Sequence, residues 1–240
     1  MPSADALVLQ RPATPASQLI LLFHGLGATP DDLAPLGEFL AGHFPQAFIV
    51  SVPGHEDCDF GGGRQWFSVR DITEADRPQR IDAAMPAFVA TVRHWQQVAG
   101  LGVEPTALLG FSQGAMMVLA ATQRDAPALA GRVISIAGRF AEPPQRPALE
   151  TTFHLFHGRQ DAVIPYAQTV SAAERLLALG ADVTADVLPF IGHTIDDEIA
   201  QRLLQRLTTY VPRRVWQAAM AAAAAAGEDG SDAKGGDAVT

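Results

Sequence analysis

The chain has 240 residues, a formal net charge of −9, a hydrophobic content of 48% and a single cysteine, Cys58. That apolar content is enough for a sizeable core and too high for a disordered protein, while the acidic balance excludes a basic nucleic-acid groove. One cysteine permits neither an intrachain disulfide nor a CxxC metal or redox motif.

Short apolar runs alternate with longer helical patterns. Leu7–Gln10 and Gln18–Phe23 read as two strands joined by a proline-containing turn. Residues 30–44 read as a helix with Thr29 as N-cap and Asp31 and Asp32 in its first turn. Ala47–Val52 is a third strand, and the glycine- and charge-rich stretch from Pro53 to Arg77 shows no period. Gln79–Ala99 returns to helical spacing, with Ile81, Met85, Phe88, Val92 and Trp95 on one face.

The second half repeats the alternation. Strand Thr106–Gly110 runs into helix Gln113–Arg124, and strand Arg132–Ala137 is followed by a proline-rich loop to Thr151. Strand Thr152–Phe156, helix Tyr166–Leu179, strand Val183–Pro189 and helix Asp196–Tyr210 complete the order. Strands that are continuous apolar runs, as in LILLF and AFIVSV, belong to a parallel sheet covered on both faces. The expected fold is α/β: a mostly parallel, doubly wound sheet with an antiparallel first strand and no large lid. Residues 1–216 read as one domain, and residues 217–240 as an Ala-rich helix end followed by a disordered acidic tail from Gly227.

Gly110-Phe111-Ser112-Gln113-Gly114 places a G-x-S-x-G pattern between a predicted strand and a predicted helix. A serine on so sharp a turn lifts its hydroxyl out of the sheet, and the flanking glycines let neighbouring chain approach closely. A hydroxyl needs a base, and the base needs an orienting carboxylate, in the chain order Ser, acid, His. His193 follows the last strand and fits both order and position; His157 is a second candidate, read more readily as a structural loop histidine. Asp161 lies just past a strand end between Ser112 and His193, whereas Asp196 and Asp197 read as first-turn acids of a helix. The turn His24-Gly25-Leu26-Gly27 can aim the Leu26 backbone N–H at a developing oxyanion, beside that of Gln113. His24 itself reads as a structural imidazole.

Together, FHGLG at Phe23–Gly27, GFSQGA at Gly110–Ala115, HGRQDAVIP at His157–Pro165 and the Gly192-His193 pair resemble the phospholipase/carboxylesterase family of α/β hydrolases. That family includes the acyl-protein thioesterases, and the resemblance extends over most of Leu19–Tyr210. Matched residue by residue, it implies nucleophile, acid and base at Ser112, Asp161 and His193, and oxyanion donors at Leu26 and Gln113. It also implies that Trp66 and Phe67 flank the acyl site; from the residues alone, substrate wall and hydrophobic loop plug stand level. The chain departs from the family in carrying Ala28 where an aspartate often follows HGLG.

His55-Glu56-Asp57-Cys58-Asp59 is dense in metal-ligand types, but adjacent residues cannot all face one ion, so it reads as a solvated loop. The expectation is a cofactor-free serine carboxylesterase acting on short- to medium-chain esters through an acyl-enzyme on Ser112. Acyl-thioesterase or lysophospholipase activity is the alternative, and a non-catalytic binding module a remoter one. The partner is a small-molecule ester, with no nucleic acid, no stable membrane anchor and a homodimer left open. No signal-like start or spanning segment is visible, so the cytoplasm is the default location.

Overall fold

The computed structural model describes residues 5–124 and 127–229. Seven strands form one sheet: β1 (Leu7–Gln10), β2 (Gln18–Phe23), β3 (Ala47–Val52), β6 (Thr106–Phe111), β7 (Arg132–Ile136), β8 (Thr152–Gly158) and β9 (Asp182–Leu188). They lie in the order β1-β3-β2-β6-β7-β8-β9, all parallel except β1. The antiparallel first strand pairs with β3 rather than closing a hairpin with its sequence neighbour β2. A separate two-stranded ribbon, β4 (Glu56–Asp57) with β5 (Arg64–Gln65), occupies the stretch that showed no period.

Alternation along the strands sends side chains to two cores. Leu19, Leu21 and Phe23 of β2 pack with Ile81, Met85 and Phe88 of α2 (Arg77–Ala99), Met117 of α3 (Gln113–Ala121) and Leu176 of α4 (Ala167–Ala178). Ile20 and Leu22 face the other way, onto Leu36 and Leu40 of α1 (Ala34–His43) and Ile199 and Leu203 of α5 (Asp197–Thr209). The predicted helix over 30–44 opens as a 3-10 turn, Pro30–Leu33, where the Asp32 carboxylate accepts the Thr29 N–H at 2.7 Å. Asp196 proves to be the N-cap of α5, accepting the Ile199 N–H at 3.0 Å.

The final helix, α6 (Arg213–Asp229), starts before residue 217 and runs past Gly227, so the helical end is longer than its alanine content suggested. Its first turn is tied to the sheet: the Arg213 N–H donates to Asp182 at 3.0 Å and Arg214 to the Thr152 hydroxyl at 2.8 Å. The rest of the expected tail, 230–240, lies outside the described residues. Among the described residues no helix is long and apolar enough to cross a membrane.

The chain leaves β2 toward β3 on one side and β6 toward β7 on the other. The carboxyl ends of β2 and β6 are therefore a topological switch point, where departing loops leave a crevice. The HGLG turn and Ser112 follow those two strands.

His154, in the middle of β8, is wholly buried and has Thr184 Oγ1 2.8 Å from its Nδ1. Burial, helped by Arg132 and Arg206, pushes its pKa down to about 4. The unfolded chain takes up this proton near the ordinary histidine value and the folded chain only near 4. Its contribution is thus complete above pH 6.5 and is lost as pH falls from there toward 4. His154→Gln is expected to remove about 3 kcal/mol of the acid destabilisation between pH 7 and pH 4. Denaturant unfolding of both proteins across that interval checks it; parallel pH profiles would refute it.

Candidate active site

The bend of the G-x-S-x-G segment leaves room for nothing but glycine at its two ends. A Cβ on Gly114 would sit 2.1 Å from the Phe23 carbonyl oxygen, and one on Gly110 would sit 2.4 Å from that of Gly114. The close approach is used: the Gly114 N–H donates to the His24 carbonyl at 3.1 Å, locking the start of α3 against the end of β2. Ser112 caps α3 with φ 53° and ψ −113°, a conformation that costs a non-glycine residue about 1–3 kcal/mol.

Ser112 Oγ lies 2.9 Å from His193 Nε2, and His193 Nδ1 lies 2.7 Å from Asp161 Oδ2. The three side chains come from separate loops at the carboxyl ends of β6, β8 and β9. Asp161 is embedded in donors. Its Oδ1 accepts the Val163 and Ile164 N–H groups, both at 2.8 Å, and its Oδ2 also faces His157 Nε2 at 3.1 Å. Burial pushes the Asp161 carboxyl up, but the bonds from His193 and the Ile164 and Val163 N–H groups outweigh it and hold the pKa below the ordinary carboxylate value.

His157 lies inside β8, which runs two residues further than predicted. Its Nε2 also meets the Ile164 carbonyl at 2.8 Å, and its Nδ1 meets the Thr169 hydroxyl at 2.8 Å. Burial lowers its pKa, so it stands as a neutral donor propping Asp161 and the loop after it. Its position next to the Gly158 turn was legible; its second contact to Asp161 was not.

His24 is likewise spent on structure. Its Nε2 accepts the Gly54 N–H at 2.9 Å and its Nδ1 faces the Gly25 carbonyl at 2.7 Å. Burial lowers the pKa, and a ring nitrogen accepting a backbone N–H has no room for a proton. The turn that follows is held from outside: the Gly27 N–H donates to the Arg64 carbonyl at 2.9 Å and the Arg64 N–H to the Ala28 carbonyl at 2.8 Å. The β4–β5 ribbon thus buttresses Leu26. The Gln113 N–H, in the first turn of α3, is outside that helix's own ladder and available to an anion.

Trp66 and Phe67 part company. Phe67 lines a cavity of about 380 Å³ together with Ser112, Leu26, Gln113 and Met116. Trp66 does not line it. Its ring is wholly buried among Phe23, Phe88, His24 and His55, and its Nε1 donates to the His24 carbonyl at 2.8 Å. Of the two readings left level for this pair, Phe67 fits that of a cavity wall and Trp66 that of a loop plug, the two side chains pointing to different sides of the bend that follows β5.

The Gln113 side chain does what no motif announced. Its Oε1 accepts the Trp66 N–H and its Nε2 donates to the Phe67 carbonyl, both at 2.8 Å and buried. The one signal of it in the sequence is a long amide directly after Ser112. Gln113→Ala would strand two buried backbone groups and is expected to cost about 2–4 kcal/mol. Thermal unfolding checks this, and an unchanged Tm would refute the clamp.

The dense run at His55–Asp59 is consumed by local pairing. Arg64 binds Asp57, Gln65 donates to Glu56 at 3.1 Å, and Asp59 accepts the Ser68 hydroxyl at 2.7 Å. Among the described residues no three His, Cys, Asp or Glu side chains are arranged to hold a metal ion.

The sequence profile of the phospholipase/carboxylesterase family matches residues 4–211. The chain belongs to the phospholipase/carboxylesterase family. It is 46% identical to esterase YpfH of Escherichia coli, over 90% of this chain and 93% of that protein. It is 27% identical to acyl-protein thioesterase 1 of Kluyveromyces lactis, over 67% of this chain and 77% of that protein. The crystal structure of esterase PE8 superposes with a TM-score of 0.75 at 28% identity, covering 86% of this chain and 97% of that one. As a phospholipase/carboxylesterase family member with these neighbours, the chain has the α/β-hydrolase fold expected from its strand pattern, and ester hydrolysis is its class of chemistry.

Proposed function

We propose that the chain is a serine carboxylesterase that hydrolyses short- to medium-chain esters through an acyl-enzyme on Ser112. The observation that carries this reading is the continuous relay from Asp161 through His193 to Ser112, with contacts of 2.7 and 2.9 Å. Ser112 Oγ attacks the ester carbonyl carbon while His193 Nε2 takes the hydroxyl proton. Asp161 holds Nδ1–H and balances the imidazolium that forms. The tetrahedral oxyanion is received by the N–H groups of Leu26 and Gln113, and each such donor is typically worth ~10²–10³ in rate. Collapse expels the alcohol, which leaves with the proton from His193. Water, deprotonated by the same nitrogen, then releases the acid and restores Ser112.

The cavity volume of about 380 Å³ sits at the lower end of small-molecule sites, which supports short and medium acyl chains. Rates on p-nitrophenyl esters of increasing chain length are expected to peak in that range and decline for long chains. A maximum at long acyl chains, or no ester turnover at all, would refute the reading. Thioester hydrolysis by the same residues is the second reading, favoured by the similarity to acyl-protein thioesterase 1. Comparing kcat/KM for matched esters, acyl-CoA and lysophospholipid decides between them.

A further inference from the structure

Three charged side chains share the cavity of Ser112 and take no part in the steps above: Glu74, Arg77 and Arg139. Arg139 reaches the Glu74 carboxylate at 2.8 Å and Arg77 reaches it at 3.0 Å. The two guanidinium groups are withdrawn, with side chains 15% and 14% exposed, while that of Glu74 is 67% exposed. Two cations therefore share one carboxylate, leaving one positive charge in a cavity whose other lining residues are uncharged, apolar ones such as Leu26, Phe67 and Val163 together with Ser112, Gln113 and Gln168. The nearest other acid in sequence, Asp76, is engaged by Arg80 at 3.5 Å and by the Thr73 N–H at 2.8 Å.

Loop anchoring alone does not account for this arrangement. Arg77 Nε is buried with no hydrogen-bond partner among the described residues, so Glu74 does not use up the donors of this guanidinium. Arg77 is also the first residue of α2, where the helix dipole adds to the positive potential. Arg139 follows β7, the strand beside the one that carries Ser112, so its charge sits at the same end of the sheet as the nucleophile.

We infer that this cavity selects esters whose acyl part carries a second, anionic group, a carboxylate a few bonds from the scissile carbonyl, with Arg139 and Arg77 as the specificity-determining residues. The inference rests on the esterase reading of Ser112. A carboxylate on the acyl part stays in the cavity with Ser112 through both half-reactions, whereas one on the alcohol would depart after the first, so the acyl part is the one proposed. Guanidinium groups carry several donors in a rigid fork, so pairing with Glu74 leaves others for a substrate carboxylate. Glu74 competes with that carboxylate and sets how strongly an anion is held.

The test compares monoethyl glutarate with ethyl pentanoate, followed by ethanol release, in wild type, Arg139→Gln and Glu74→Gln. Wild type is expected to prefer the half-ester by about tenfold or more in kcat/KM, mainly through KM. Arg139→Gln should lower that ratio about tenfold, and Glu74→Gln should raise it. A structural role alone would move both esters together and leave the ratio fixed. Calorimetric binding of monoethyl glutarate to Ser112→Ala reads the subsite without turnover, and Arg139→Gln in that background should abolish it. Turnover of ethyl pentanoate with a ratio near one, unchanged in both variants, overturns the anion subsite and leaves the esterase standing. Arg139-dependent binding without turnover of either ester upholds the subsite and overturns the esterase.

Discussion

Ser112→Ala is expected to lower kcat for ester hydrolysis by about 10⁴–10⁶ while the protein stays folded. The loss is large because the relay ends on this hydroxyl. Without it His193 Nε2 has no proton to take, and only binding and the proposed oxyanion donors remain. The fold survives because nothing in the turn depends on the hydroxyl. The Ser112 N–H donates to the Ile136 carbonyl at 3.0 Å, and the close approach of chain at the bend is allowed by the flanking glycines. His193 is 18% exposed, so water can satisfy the vacated nitrogen. Steady-state kinetics with a p-nitrophenyl ester and a thermal melt check both halves. Wild-type turnover in the alanine variant would remove Ser112 from the mechanism.

The second large effect is expected at Asp161. Asp161→Asn should cost about 10⁴ in kcat and about 1–3 kcal/mol in stability. The four donors around the carboxylate dictate how an amide must sit. Two backbone N–H groups hold Oδ1, so the new amide nitrogen is forced to the Oδ2 position, facing His193 and His157. His193 can then only accept at Nδ1, which puts its proton on Nε2, aimed at Ser112 and unable to take the hydroxyl proton. His157 meets a donor where it meets an acceptor now. The depressed pKa of Asp161 adds a pH signature. Its stabilisation is present above the ordinary carboxylate value and is lost as pH falls through the lower folded value, so wild type and Asp161→Asn should converge in strong acid. Full activity in Asp161→Asn would exclude the acid from the relay, and a stability difference independent of pH would exclude the linkage.

The sheet was legible because buried parallel strands are unbroken apolar runs, and β2, β3 and β6 carry them without ambiguity. The elbow was legible for a different reason. G-x-S-x-G is imposed by steric contacts of 2.1 and 2.4 Å, which admit no other residue at Gly114 or Gly110. The β4–β5 ribbon was not, since strands of two residues are too short to show a period. The pairing of β1 with β3 depends on a crossing that local pattern does not encode. Trp66 and Phe67 were legible as an aromatic pair, but the side each faces depends on where α2 and α3 pack. The Glu74, Arg77 and Arg139 cluster eluded the sequence altogether: its members lie as far as 65 residues apart, in a loop, a helix start and a strand end.

The buttressing of the HGLG turn by β5, and of the 66–67 segment by Gln113, has a kinetic side. The proposed oxyanion donors are set only when residues 25–28, 64–67 and 112–114 have met, and the Gln113 clamp alone closes a span of 47 residues. Contacts so distant along the chain pay their loop-closure entropy before any reward, and so they form late in folding. Helices, built from local contacts, can be present before the sheet, whose β2–β6 pairing spans still more of the chain, and the site are assembled. In refolding from denaturant, recovery of ester hydrolysis should therefore trail recovery of the far-ultraviolet signal, making turnover the stricter report of the native state.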